Sequence, residues 1–162
     1  MAIDMFLKFD NIDGESVDRA HKDWVDVLAW SWGMSNSGST HVGGGAGAGK
    51  ANAQDLSYTS YVDASSVPLM QAVATGQFLK TAFLNVRGSA RSSSVEFLKI
   101  TLSEVLVTSL STAGSSGDDR LTQNVTLNFA KVEVDYQQTS ATGKPIGAPL
   151  VFEWDIAGSE NS

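Results

Sequence analysis

The chain has 162 residues, no cysteine and a formal net charge of −7, which fits a single domain. The lack of cysteine excludes a disulfide scaffold, a thiolate metal site and a cysteine nucleophile, and the acidic balance argues against nucleic-acid binding, which needs a basic face. Charged residues make up 18% of the chain, below the usual ~25%, so part of the surface is polar but uncharged.

Alternation of apolar and polar residues, taken in chain order, predicts strands over most of the sequence. The predicted strands cover residues 3–9, 24–34, 56–62, 79–87, 95–110, 121–136 and 150–156. A short helix is predicted after the third of them. Ser65 or Ser66 can cap its first N–H groups, and Pro68 fits its first turn. Gly76 can end it in the left-handed conformation. The fold class is therefore mainly β, a barrel or sandwich of about eight strands with one short helix on its side.

Two long strands change the phase of their apolar residues. In 125–136 the apolar positions are odd-numbered as far as Phe129 and even-numbered from Ala130, and 95–107 changes phase in a similar way. Either a β-bulge turns the strand over, or each face is partly buried, one against the core and one against another chain. One such change favours a bulge. The segment Trp24–Val27 is also apolar on both faces. Three strands of this kind in one chain together favour a surface that contacts a partner.

The tryptophans of the second predicted strand share one face with two other apolar residues. Trp30 and Trp32 alternate with Ser31, and Leu28 and Met34 extend the same face. An aromatic platform for a sugar or peptide is one interpretation, but packing in a barrel interior is favoured. Ser31 then points to a surface that is small and uncharged.

The search for catalytic chemistry finds no complete site. Residues Gly44–Lys50 match the GxxxxGK core of a phosphate-binding loop, but Ala51 stands where Ser or Thr should hold magnesium. The segment also lies inside a 19-residue loop, 35–53, rather than between a strand and a helix. The two histidines, His21 and His41, have no G-x-S-x-G elbow or carboxylate cluster nearby, and His21 is expected to be a solvated surface residue. No enzyme activity, cofactor or metal is expected.

Several stretches spread over nearly the whole chain resemble one protein family. The stretches that carry the resemblance are Leu28–Ser35, Gly43–Lys50, Asp55–Ser57, Asp118–Thr122 and Asn124–Ala130. They are similar to haemolysin-coregulated protein, Hcp, the tube protein of bacterial type VI secretion systems. The resemblance implies a two-sheet β-barrel with a flanking helix, as one domain over residues 1–162 with a short C-terminal tail from about residue 157.

The resemblance also implies partners. It implies homohexameric rings that stack into a tube, a VgrG-type spike at its tip, a contractile sheath around it and small effector proteins in the ring lumen. Nucleic-acid binding and membrane insertion are not expected. The N-terminus lacks the basic start and apolar core of a signal peptide. We therefore expect synthesis in the cytoplasm and secretion by the type VI system without a cleavable signal peptide.

Three surfaces are predicted to serve this assembly. In family terms the glycine-rich loop contacts the neighbouring ring, and it comprises Val42, Gly43, Gly44, Gly45, Ala46, Gly47, Ala48, Gly49 and Lys50. Subunit contacts in the ring are expected at Asp26, Lys131, Glu133 and Asp135, because a head-to-tail ring needs two different patches per subunit. Ser31 is expected to face the lumen and its cargo.

Two other functions stay open. A phage-like tail tube protein would share the architecture. A small ligand-binding or hydrolytic β-barrel would belong to a different class, and it would be a monomer with a deep pocket.

Overall fold

A computed structural model describes residues 2–38, 51–88 and 95–156 of the chain. These ranges contain nine strands and one helix. The strands are β1 (Ile3–Phe9), β2 (Val25–Ser31), β3 (Met34–Asn36), β4 (Ala51–Ala53), β5 (Leu56–Tyr61), β6 (Phe78–Gly88), β7 (Glu96–Ala113), β8 (Thr122–Tyr136) and β9 (Leu150–Asp155), and the helix is α1 (Ser66–Thr75).

Six of the strands close into a barrel. Their order is β5-β2-β1-β6-β7-β8, and β8 pairs back to β5 to complete the closure. β9 pairs with the second half of β8, and β3 and β4 form a separate two-stranded sheet. The prediction of a mainly β barrel with one short helix is confirmed. The described residues form nine strands rather than about eight. The predicted strand 24–34 is interrupted after Ser31, and part of the predicted loop 35–53 forms β4.

The phase change of the long strands is accommodated inside the barrel itself. At Glu104, where φ is +53°, β7 adopts the left-handed conformation and its buried side changes from even to odd numbers. β8 changes at the same level, so that Ser103 still pairs with Lys131 and Val105 with Phe129. The residues of both phases belong to one hydrophobic core, and they are Ile100, Leu102, Val105, Val107, Val125, Leu127, Phe129 and Val132. The phase change therefore needs no second chain to explain it.

The second strand follows the predicted pattern in part. A bulge at Leu28 shifts its register against β5 between Val27 and Ala29, so Leu28 is 42% exposed, and Met34 is 39% exposed beyond the end of the strand. The prediction that both residues lie in the core is wrong. Trp30 and Trp32 pack against the core as predicted, and Ser31 is exposed on the opposite side.

The helix begins and ends close to the predicted positions, but its serines do not cap it as expected. Gly76 adopts the left-handed conformation with φ of +69°, and its N–H bonds to the Ala72 carbonyl. Ser65 makes no side-chain cap hydrogen bond. The Ser66 hydroxyl instead donates to Gln123 Oε1 at 2.8 Å and accepts from the Asp63 N–H at 3.0 Å. Ser66 therefore ties the helix to β8.

Candidate functional site

One side of the barrel carries an uncharged polar face. It is formed by the outward residues of β2, β5, β8 and β7, which pair across the strands in two rows. One row consists of Ser31, Ser57, Thr126 and Ser109. The row beside it consists of Ala29, Thr59, Asn124 and Ser111. We call these eight residues the polar face. Small hydroxyl and amide groups cost less to dehydrate than the charges that cover most protein surfaces.

Side-chain hydrogen bonds join β5 to β8 on this face, along the seam where the barrel closes. The Thr59 hydroxyl donates to Asn124 Oδ1 at 2.6 Å, and the Ser57 and Thr126 hydroxyls lie 3.4 Å apart. The Ser31 side chain is exposed beside them. The predicted position of Ser31, on a small and uncharged surface, agrees with this geometry.

A second side of the molecule carries a charged face on β8 and β9. Lys131, Glu133 and Asp135 alternate along β8 and so project to the same side, away from the core residue Val132. Each is paired with a residue of β9, and Glu133 lies directly opposite Glu153. Lys131 Nζ lies 3.7 Å from Asp155 Oδ2. The structure therefore brings together three of the four residues predicted for a subunit contact.

The facing Glu153 disfavours ionisation of Glu133. The hydrogen bond that Glu133 shares with Glu153 is the largest cause, followed by partial burial and by the negative charges of Asp135 and Glu153. Together they raise the pKa of Glu133 from 4.5 to about 7. Near neutral pH Glu133 therefore changes its protonation state, which makes the charge of this face sensitive to pH.

Asp26, the fourth predicted contact residue, lies elsewhere. It is exposed on β2, in register with Phe6 of β1, and β2 is not a hydrogen-bonded neighbour of β8 in the barrel. Asp26 and the charged face thus belong to two different surface patches of one chain.

The predicted ring-to-ring loop, Val42–Lys50, lies outside the described residues, as do His41 and the tail from residue 157. Its flanks are described. β3 and β4 pair from Asn36 with Ala51 to Met34 with Ala53, and the Gln54 N–H donates to the Gly33 carbonyl at 2.9 Å. The two strands on either side of the loop therefore pair in a small sheet separate from the barrel sheet.

The structure corrects the prediction for His21. The residue is 2% exposed rather than solvated, and its ring stacks on Phe6 with centroids 4.3 Å apart. Nδ1 lies 2.8 Å from Asp18 Oδ2, and Nε2 is hydrogen-bonded to Glu96. Glu96 lies 75 positions further along the chain, so no local sequence pattern could have revealed this contact.

Within residues 2–38, 51–88 and 95–156, no group of three or more histidine or acidic side chains is arranged to hold a metal ion. In the same part of the chain, none of the helical structure has the length and apolar character needed to span a bilayer.

Comparisons with known proteins give one consistent result. Residues 6–136 match the sequence family described as type VI secretion system effector, Hcp. The chain is 55% identical to protein hcp1 of Pseudomonas aeruginosa over 156 residues, which is 96% of each protein. A solved type six secretion system protein superimposes with a TM-score of 0.93 at 29% identity, over 99% of this chain and all of that one. Hcp1 from Salmonella typhimurium gives 0.82 at 30% identity, with both chains fully covered.

Proposed function

The chain belongs to the Hcp family of type VI secretion proteins, and from this premise we propose that it is a structural subunit of the secretion tube. Six copies form a ring, the rings stack, and small effector proteins travel in the lumen. A VgrG-type spike and a contractile sheath are its other partners. The observation that carries the proposal is the 55% identity to hcp1 over 96% of both chains. The family is one of secreted structural proteins rather than enzymes.

The polar face suits the wall of such a channel. Its side chains are short and uncharged, so contact with cargo orders few flexible groups and dehydrates no ion. Such a wall holds proteins of different charge weakly enough to release them. We assign Ser31, which is exposed on this face, to the lumen and to cargo contact.

The two separate patches suit a head-to-tail ring. A closed ring of identical subunits joins one surface of each chain to a different surface of the next. The charged face on β8 is one patch and Asp26 on β2 is the other. Lys131 is a partly exposed cation and Asp26 is an exposed acid, so they can pair across the contact, while Glu133 and Asp135 set its register.

The glycine-rich loop is assigned to the contact between rings. The strands that flank it in the chain, β3 and β4, pair with each other. Export follows the family route: the type VI system takes the assembled particle, and no cleavable signal peptide is needed.

Native mass by light scattering, with negative-stain images of the same fraction, tests the proposal. Open rings of about six times 17.1 kDa are expected, whereas a 17.1 kDa monomer at micromolar concentration would refute the tube function. Lys131→Glu should reduce the ring fraction and adding Asp26→Lys should restore it, while Lys144→Glu, at another exposed lysine, serves as the control. Deleting Gly43–Gly49 should keep the ring mass and weaken stacking, so unchanged tubes would exclude the loop.

A further inference from the structure

The proposed tube function makes no use of a cluster formed by a buried histidine and two partly buried carboxylates. Its centre is His21, in the connection between β1 and β2. The imidazole lies flat on the Phe6 ring, at an interplanar angle of 5°, and meets the edge of the Trp24 indole. Each ring nitrogen faces a carboxylate: Nδ1 faces Asp18 and Nε2 faces Glu96.

Both carboxylates have further partners besides His21. Asp18 is paired with the Arg87 guanidinium. Burial opposes its charge, but the hydrogen bonds from Arg87 and His21 outweigh burial and lower the pKa of Asp18 to about 2. The second oxygen of Glu96 accepts from Asn85 Nδ2 at 3.1 Å and lies 3.5 Å from Lys99 Nζ. Ionised carboxylates are acceptors without a proton to donate.

The number of protons on the ring determines how many of these carboxylates it can satisfy. A neutral imidazole has one N–H group and can satisfy one carboxylate, whereas the imidazolium ion has two. With a single proton, the lone pair of the other nitrogen would face a carboxylate oxygen across a buried contact, which is repulsive.

We propose that His21 carries both ring protons in the folded protein and acts as a proton-dependent clasp between the β1–β2 connection and the β6–β7 pair. The charged groups around it are Asp18, Glu96, Arg87, Lys99 and Asp4, which lies 3.5 Å from Arg87. Because the two hydrogen bonds together need a proton on each ring nitrogen, the clasp is closed at lower pH. It opens as the pH rises and the proton leaves.

Opening would move a defined segment. Asp18 and His21 lie in a small loop whose backbone is bonded to itself, from Asp23 N–H to Ser16 carbonyl at 2.9 Å and from Ser16 N–H to Trp24 carbonyl at 2.9 Å. The same loop carries Val17, which is 95% exposed. Its release would uncover the Phe6 ring, which is now 5% exposed, and would change the surface beside the β6–β7 pair.

Glu96→Gln separates the proton requirement from the packing. Glu96 uses Oε1 for His21 and Oε2 for Asn85 and Lys99. A glutamine can keep its oxygen toward Asn85 and Lys99 and turn its NH₂ toward Nε2. A neutral ring would then donate from Nδ1 to Asp18 and accept at Nε2. The clasp of Glu96→Gln should therefore stay closed at high pH.

The experiment is amide hydrogen exchange of residues 16–24 on the assembled protein, compared at equal pH between wild type and Glu96→Gln. The ratio of the two exchange rates should be near one at about pH 6 and rise toward about tenfold per unit as the pH increases to about 9. His21→Gln lacks the titrating ring, so its ratio to Glu96→Gln should not change with pH. A wild-type ratio that is constant with pH overturns the proposal.

A direct observation of the ring gives an independent test, which remains valid if one variant folds poorly. The ¹⁵N spectrum of histidine-labelled wild-type protein near neutral pH should show two protonated nitrogens for His21, assigned by its absence in His21→Gln. One protonated and one bare nitrogen in the wild type would overturn the clasp.

Discussion

Gln123 is the residue whose substitution should most clearly reveal how the helix is joined to the barrel. Its side chain is fully buried and bridges two elements. Nε2 donates to Ser60 Oγ on β5 at 3.0 Å, and Oε1 accepts from Ser66 Oγ at the start of α1 at 2.8 Å. Both serines are buried too.

The expected loss of stability depends on the hydrogen bonds that are removed and on any cavity that is left. Each lost hydrogen bond between uncharged groups costs about 1 kcal/mol. Ser60 and Ser66 each keep one further bond, to the Tyr61 carbonyl and from the Asp63 N–H, so neither hydroxyl is fully orphaned. Gln123→Met keeps the volume and loses both bonds, for about 2 kcal/mol. Gln123→Ala also leaves a cavity and should cost about 3–4 kcal/mol.

Urea unfolding at several protein concentrations measures these costs, because the proposed subunit association would add stability that depends on concentration. Asn124→Ala is the matched control: Asn124 is next on β8, accepts a hydrogen bond from Thr59, and is exposed. It should cost about 0.5 kcal/mol. If Gln123→Met destabilises no more than Asn124→Ala, the Gln123 bridge does not hold the helix.

Two further predictions concern the polar and charged faces. Ser31→Arg should reduce retention of effector proteins by purified rings without changing ring mass, because it places a bulky charge on the polar face; Ser35→Arg on β3 is the control, and undiminished retention would exclude Ser31 from cargo contact. Glu133→Gln should flatten the pH dependence of stability. The raised pKa of Glu133 means that the folded protein binds this proton more tightly than the unfolded chain, so wild-type stability falls as pH rises from 4.5 through about 7. The variant should gain on the order of 1 kcal/mol over wild type at about pH 8 and nothing at about pH 4, and parallel curves in urea titrations would contradict the shared proton.

Local patterns predicted the elements that depend on local forces. Alternation of apolar and polar residues located β1, and Pro68 and Gly76 located α1, because backbone geometry at those positions depends on neighbouring residues. The breaks in alternation were harder to interpret. A bulge at Leu28 and the left-handed Glu104 are properties of paired strands, so the sequence showed a change of phase without its cause.

The buried polar contacts were not predictable, because they join residues far apart in the chain. Ser66 and Gln123 are separated by 57 positions and His21 and Glu96 by 75. A serine at a helix start normally caps the helix, and a histidine among polar residues is normally solvated. In both cases a distant partner decided the role of the side chain.

The two sides of the β5–β8 seam differ in a way that would let one barrel be both a stable fold and the proposed channel wall. On the inner side Leu56 pairs with Leu127 and Tyr58 with Val125, and all four are buried in the core. Closure of the barrel therefore depends on the inner side chains and the backbone ladder. We expect the outer positions, Ser57 and Thr59 among them, to contribute little to stability and to be available for the proposed contact with cargo. Substitutions on the polar face should consequently alter transport before they alter folding, whereas those one residue away along the same strands should do the reverse.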